Sequence, residues 1–141
     1  MSGLPNIEPV TLMVMVFGAV FGWKALYPVY LYVLMEFLFF GLGTWNFMYL
    51  YIWAIPAVLA WMLRKMEDPL GWALLSGGFG LLFGMLCMPV DMIIGGFSYA
   101  LAKWVSGIPF DITHCIGNLM IALVLFVPLR KLTARLYRQV K

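Results

Sequence analysis

Charge is scarce in this chain, and so are the residues that usually carry chemistry. Nine Lys and Arg, six Asp and Glu and one His are spread over 141 residues. That supply gives no basic face alternating with exposed aromatics, which excludes a nucleic-acid partner. Two cysteines, Cys87 and Cys115, lie in apolar stretches with neither metal-type spacing nor the pattern of a secreted disulfide framework. They read as small buried hydrophobes. Phosphate-binding glycine loops are missing as well: Gly77-Gly78-Phe79-Gly80 lies inside an apolar run and lacks the lysine and hydroxyl of a P-loop. No Ser-His-Asp arrangement offers a plausible nucleophile, so the chain is not expected to be an enzyme or to need a cofactor. The first nine residues hold no Lys or Arg, so the charged start of a cleavable signal is absent.

What is present is hydrocarbon. Hydrophobic residues make up 65% of the chain, too many for a soluble fold of this size, which must expose much of its surface. A helix needs about 20 apolar residues to cross a bilayer. Five segments qualify approximately: 10–23, 26–43, 47–63, 70–90 and 112–129. The expected fold is therefore an all-α integral membrane protein of about five transmembrane helices in one bundle, a single domain over 1–141 with a basic tail at 130–141. Between segments, Gly43-Thr44-Trp45-Asn46 reads as a tight turn. The charged loop Arg64-Lys65-Met66-Glu67-Asp68-Pro69 ends in a helix-starting proline. The stretch 91–111 is too short for two crossings. It is expected as an outer loop with Gly95-Gly96 as a hinge and one short interfacial helix carrying Phe97, Leu101 and Trp104.

Lys and Arg favour the cytoplasmic side. Lys24 follows the first segment, Arg64 and Lys65 the third, and Arg130, Lys131, Arg135, Arg138 and Lys141 the fifth. Strict alternation puts all three ends on one side, so charge and helix count agree, with the N-terminus outside and the C-terminus cytoplasmic. Only Lys103 breaks the rule.

The outward segments then hold nearly all the polar side chains: Asn6 and Glu8, Trp45 and Asn46, Asp91, and Asp111, His114 and Asn118 at the start of the last helix. Polar groups in a bilayer face a cavity or a protein partner. Together with Tyr49 these residues are the candidate substrate-binding set, with aromatics to stack on a planar ring and Asn and His for its polar edge. Asp111 is equally explained as a helix N-cap. A metal site at Asp111, His114 and Cys115 is a sharper alternative, but the four-residue spacing supplies only two ligands. Glu36 lies within the second segment, where an ionised carboxylate is expensive, and is a possible intramembrane polar site.

Small residues recur at helical spacing, Gly18 with Gly22, and Ser76, Gly80 and Gly84 in a stripe. Such stripes bring helix backbones close in lipid. They point to packing inside the bundle before docking to another subunit. Trp45, Tyr49, Tyr51 and Trp53 form a candidate interfacial belt.

Three segments carry a family resemblance: 4–11 (Leu-Pro-Asn-Ile-Glu-Pro-Val-Thr), 16–27 (Val-Phe-Gly-Ala-Val-Phe-Gly-Trp-Lys-Ala-Leu-Tyr) and 107–118 (Gly-Ile-Pro-Phe-Asp-Ile-Thr-His-Cys-Ile-Gly-Asn) with its basic tail. In order and spacing the chain resembles the substrate-binding S components of energy-coupling factor (ECF) transporters, vitamin importers of the ABC class, in particular those whose ligand is unassigned. The resemblance implies capture of a vitamin-like small molecule from outside a prokaryotic plasma membrane. It also implies a T component and two ATPase subunits as partners. Family members have a further helix before the point where this chain begins, and that helix often touches the T component. Met1-Ser2-Gly3 lacks the N-terminal histidine of the nickel and cobalt branch. Two other readings stand beside this one. The first is a stand-alone ion-coupled carrier or channel with Glu36 and His114 as a proton relay. The second is a scaffold subunit that binds no small molecule.

Overall fold

A computed structural model describes residues 9–140, so Asn6 and Glu8 lie outside the described residues. The described residues form helices and turns, with no strand. In so apolar a chain the backbone must satisfy its own hydrogen bonds, and a helix does this within one segment. Three helical stretches are long and apolar enough to cross a membrane: Val10–Phe40, Thr44–Met62 and Pro69–Val140. The faces turned away from the interior are greasy, with Leu31, Leu38 and Phe39 each more than half exposed. That surface suits lipid and would be a liability in water.

The first stretch is broken. Helix α1, Val10–Phe21, stops where Gly22 adopts φ 64°, and a 3-10 turn over Gly22–Ala25 leads into α2, Leu26–Phe40. Pro28 sits in the first turn of α2, where its missing N–H is harmless. Helix α2 ends at Gly41, whose N–H closes on the Phe37 carbonyl at 2.9 Å. Helices α3, Thr44–Ile52, and α4, Ala54–Met62, join through Trp53, itself close to helical at φ −74° and ψ −20°. The charged loop then meets its stop: the Asp68 carboxylate accepts from the N–H groups of Leu70 and Gly71, at 3.2 and 2.8 Å, and caps the next helix above Pro69.

That helix, α5, runs over Pro69–Val140 with one non-helical residue, Gly96 (φ 81°, ψ 177°). It is a hairpin of two arms, 69–95 and 97–140. Trp72 stacks on Phe126, Gly77 lies against Leu119, Gly80 against His114, and Lys103 bonds Asp91. Partner numbers fall as residue numbers rise, so the arms are antiparallel. At 1.5 Å per residue they measure about 40 and 65 Å. The expected outer loop at 91–111 is thus helical on both sides of Gly96. The separate short interfacial helix is replaced by the hairpin tip, and Asp111 lies inside the second arm instead of capping it.

Pair contacts set the remaining directions. Gly18 lies against Ala57 and Gly22 against Trp61, so α1 runs parallel to α4. The Tyr30 hydroxyl donates to the Leu50 carbonyl at 3.0 Å, joining α2 to α3 across the turn at 41–43. Tyr51 donates to the Leu86 carbonyl, and Trp53 meets Phe79 and Phe83, so α3 and α4 run against the first arm. One end of the molecule gathers Lys24, the loop at 63–68 and the residues from Arg130 onward. The other gathers Pro9, the turn at 41–43 and the tip at Gly96.

Two packed clusters follow the long axis. One holds Leu12, Met15, Val16, Trp72, Ala122 and Phe126 near the basic end. The other holds Val14, Val29, Met48, Ile52, Trp53 and Phe79 beside α3.

Candidate functional site

Trp53 is the hub of the second cluster. Its ring lies 5.6 Å from Tyr49, 6.1 Å from Tyr32, 6.0 Å from Phe79 and 5.9 Å from Phe83, centroid to centroid. Phe83 in turn meets His114 edge-on at 5.1 Å. Aromatic rings at these separations attract one another through their quadrupoles. A line of rings therefore crosses from α2 to the second arm. The belt expected over Trp45, Tyr49, Tyr51 and Trp53 does not form as one: Trp53 is buried, the Tyr51 hydroxyl is spent on Leu86, and of the two tryptophans only Trp45 is exposed.

Alongside the rings runs a polar seam between the arms. Asn118 donates to the Ser76 carbonyl at 3.3 Å. Asp111 accepts from the Gly84 N–H at 3.1 Å. At the tip, Lys103 bonds Asp91 at 2.6 Å, so the lysine that breaks the charge rule neutralises a buried carboxylate. The stripe Ser76, Gly80, Gly84 is the mating face. A Cβ at Gly80 would stand 2.9 Å from the His114 carbonyl oxygen, and one at Gly84 would stand 2.5 Å from the Asp111 carboxylate. Only glycine permits that approach.

The polar set read from the sequence is thereby split. Asp91, Asp111, His114 and Asn118 are buried in the hairpin, and three of them are engaged by the opposite arm. Asn46 and Tyr49 lie on α3, apart from that seam. Glu36 is half-buried on α2 with no hydrogen-bond or ion-pair partner among the described residues. Helix α2 packs on α3, while His114 packs on the first arm, so a Glu36–His114 relay has no shared wall. Among the described residues no group of three or more His, Cys, Asp or Glu is placed to hold a metal ion.

What remains unsatisfied is informative. Thr11 Oγ1, Asn46 Nδ2, Trp53 Nε1, Ser76 Oγ and Asp111 Oδ2 are buried without a hydrogen-bond partner. Each such group costs about 1–3 kcal/mol, and native interiors carry few. Asn46 is the clearest. Its Oδ1 accepts from the Gly43 N–H at 2.7 Å, which fixes the amide and leaves Nδ2 as a donor with nothing to bond. It stands in the wall of a groove of about 320 Å³ between α2 and α3, lined also by Tyr30, Val33, Phe37, Leu42 and Phe47. A second apolar groove of about 210 Å³ lies between α1 and α2, with Phe17, Pro28 and Tyr32 in its walls.

Compared with protein-family models, curated proteins and solved structures, the chain matches none.

Sequence reasoning singled out Asn46 and the hairpin residues as one cluster, which the structure divides, and missed Thr11 and the inward turn of Trp53. It marked Ser76 through the small-residue stripe, as packing before docking. Thr11 and Trp53 carry no such periodic signal, because their neighbours in sequence are apolar.

Proposed function

We propose that the chain is a membrane-embedded, substrate-binding transport subunit that captures a small molecule with a flat apolar body and a hydrogen-bond acceptor. Five crossings are assigned: α1, α2, the α3–α4 run and the two arms. The basic end faces the cytoplasm, as cationic ends favour, and the tip at Gly96 stands at the outer surface. In the finer reading it is the S component of an ECF-type importer in a prokaryotic plasma membrane. A T component and two ATPase subunits would then drive uptake of a vitamin-like ligand. That reading rests on the resemblance of segments 4–11, 16–27 and 107–118 to such subunits.

One observation carries the binding role: the fixed, buried and unpartnered Asn46 amide in the wall of the α2–α3 groove. Ligand pockets are mostly apolar with a few placed polar groups, and this groove has that make-up. Tyr30, Phe37 and Phe47 supply ring surface in its walls. The test is mass spectrometry of small molecules released from protein purified in mild detergent, followed by binding assays with the compound found. Asn46→Ala is expected to weaken binding about tenfold, the equivalent of one good hydrogen bond. Unchanged affinity would remove Asn46 from the site.

A second reading, an ion-coupled carrier, is favoured by one feature. Asp111 and His114 are buried one turn apart in the second arm, and Asp111 Oδ2 lacks a partner. It predicts uptake driven by a pH gradient in proteoliposomes without ATPases, abolished by Asp111→Asn.

A further inference from the structure

The basic end holds more than a topology signal. Along the second arm, residues 127, 130, 131, 134, 135 and 138 recur at three- and four-residue spacing and so share one face. Two adjoining cavities of about 470 and 420 Å³ lie on that face, both lined by Lys131 and Ala134. Ala134 forms a low floor between Lys131, Arg135 and Arg138. None of these three cations has an acidic partner among the described residues, where the one salt bridge lies at the opposite end. Glu67 stands at the edge of the upper cavity and is the sole acid in either lining.

Arg130 is already committed. Its guanidinium donates to the carbonyls of Met66 and Arg64 and covers the Trp72 ring at 5.7 Å. This ties the groove to the turn where α4 ends. Two turns beyond, Tyr137 meets Phe21 at the end of α1, 5.1 Å between centroids. The groove therefore lies beside the ring of turns where the bundle leaves hydrocarbon. The opposite face of the same helix is apolar and bare: Leu132 is 52% exposed, Leu136 53% and Val140 87%. Cations on one face and leucines on the other are the signature of a helix at a lipid interface.

We propose that this groove binds the phosphate of an anionic lipid headgroup. Arg135 and Arg138 would grip it as forked donors, with Lys131 as a point charge. A lipid fits better than a soluble acidic partner because the groove lies beside the turns where the bundle leaves hydrocarbon, at the level of lipid headgroups. The inference requires only that the bundle spans a bilayer. It stands or falls separately from any transported ligand.

The test uses full-length protein in nanodiscs of mixed phosphatidylglycerol and phosphatidylcholine, with retained lipid read by native mass spectrometry. Wild type is expected to enrich phosphatidylglycerol. The triple variant Lys131→Ala, Arg135→Ala, Arg138→Ala is expected to lose that enrichment by roughly tenfold or more, since each interfacial cation contributes several-fold. Lys103→Ala, at the far end, is expected to keep it. All three substituted side chains are outside the packed clusters, and an unchanged melting temperature confirms folding. Equal enrichment in wild type and triple variant overturns the proposal. So does competition by inorganic phosphate as effective as that of the lipid, which would make the site a free-anion site. Tight binding of a polyglutamate peptide without lipid preference overturns it in favour of a protein partner.

Discussion

Two buried tryptophans in this molecule have opposite fates. Trp72, near the basic end, stacks on Phe126 at 4.2 Å and donates its indole N–H to the Met66 carbonyl at 3.0 Å, under the cover of Arg130. Trp53, beside α3, is buried among four rings, and its N–H finds no partner. A buried indole usually bonds its N–H. Around Trp72 packing and hydrogen bonding agree, although Thr11 Oγ1 and Ser76 Oγ, beside Leu12 and one turn from Trp72, are unpartnered. The other region keeps Asn46 and Trp53 donors in reserve within apolar surroundings. Unmet polar capacity lowers stability and persists where function needs it. The contrast separates the part that holds the bundle from the part that is available to a guest.

Breaking the core around Trp72 gives the largest effect. Trp72→Ala removes a fully buried ring together with its stacking on Phe126. It is expected to lower unfolding free energy by about 3–5 kcal/mol, measured by denaturant titration in detergent. Jamming the seam comes next. Gly80→Val forces a side chain against the His114 backbone and is expected to destabilise by about 1–3 kcal/mol, seen as an earlier melt. The conservative pair sharpens the contrast most. Trp72→Phe is expected to destabilise by about 1 kcal/mol through the lost indole hydrogen bond, the Met66 carbonyl keeping its bond from Arg130, whereas Trp53→Phe deletes an unsatisfied donor and is expected to be neutral or stabilising. Equal losses in both would mean that the two regions do not differ.

The smallest effect belongs to the tip. Lys103 pairs with the buried Asp91 carboxylate at 2.6 Å, and strong alkali removes the ammonium that makes the pair. Lys103 is nearly half exposed, so solvent screening holds the benefit to about 1 kcal/mol or less. Lys103→Met should melt slightly below wild type at neutral pH, and the two curves should converge in strong alkali. A gap that widened with pH would refute the pairing.

Punctuation was readable from the amino acids alone. The charged loop closed by Asp68 and Pro69 and the hinge at Gly95-Gly96 are written in residues with special backbone or capping chemistry, whereas the tight turn read over Gly43-Thr44-Trp45-Asn46 is the start of α3 from Thr44 onward, the chain turning just before it at 41–43. The cationic end was readable for the same reason. The faces were not. In water a helix shows its buried side by contrast with polar neighbours, but here both lipid and core demand apolar residues. Trp45 and Trp53 therefore look alike in sequence although one is exposed and the other buried. The region 91–111 misled for a related reason. Asp91, Lys103, Asp111 and the Gly95-Gly96 pair suggest a solvated loop, yet both acids are held across the hairpin, Asp91 by Lys103 and one oxygen of Asp111 by the Gly84 N–H. Pro109 stands within the second arm without ending it.

The most direct test compares wild type with Asn46→Leu, each purified in the same detergent, melted, and assayed by mass spectrometry for small molecules released on denaturation. The account predicts a compound bound to wild type and at least tenfold less in the variant, with the stripped variant melting only slightly lower because the Gly43 N–H loses its Asn46 acceptor. A folded variant that retains as much bound compound as wild type would contradict it.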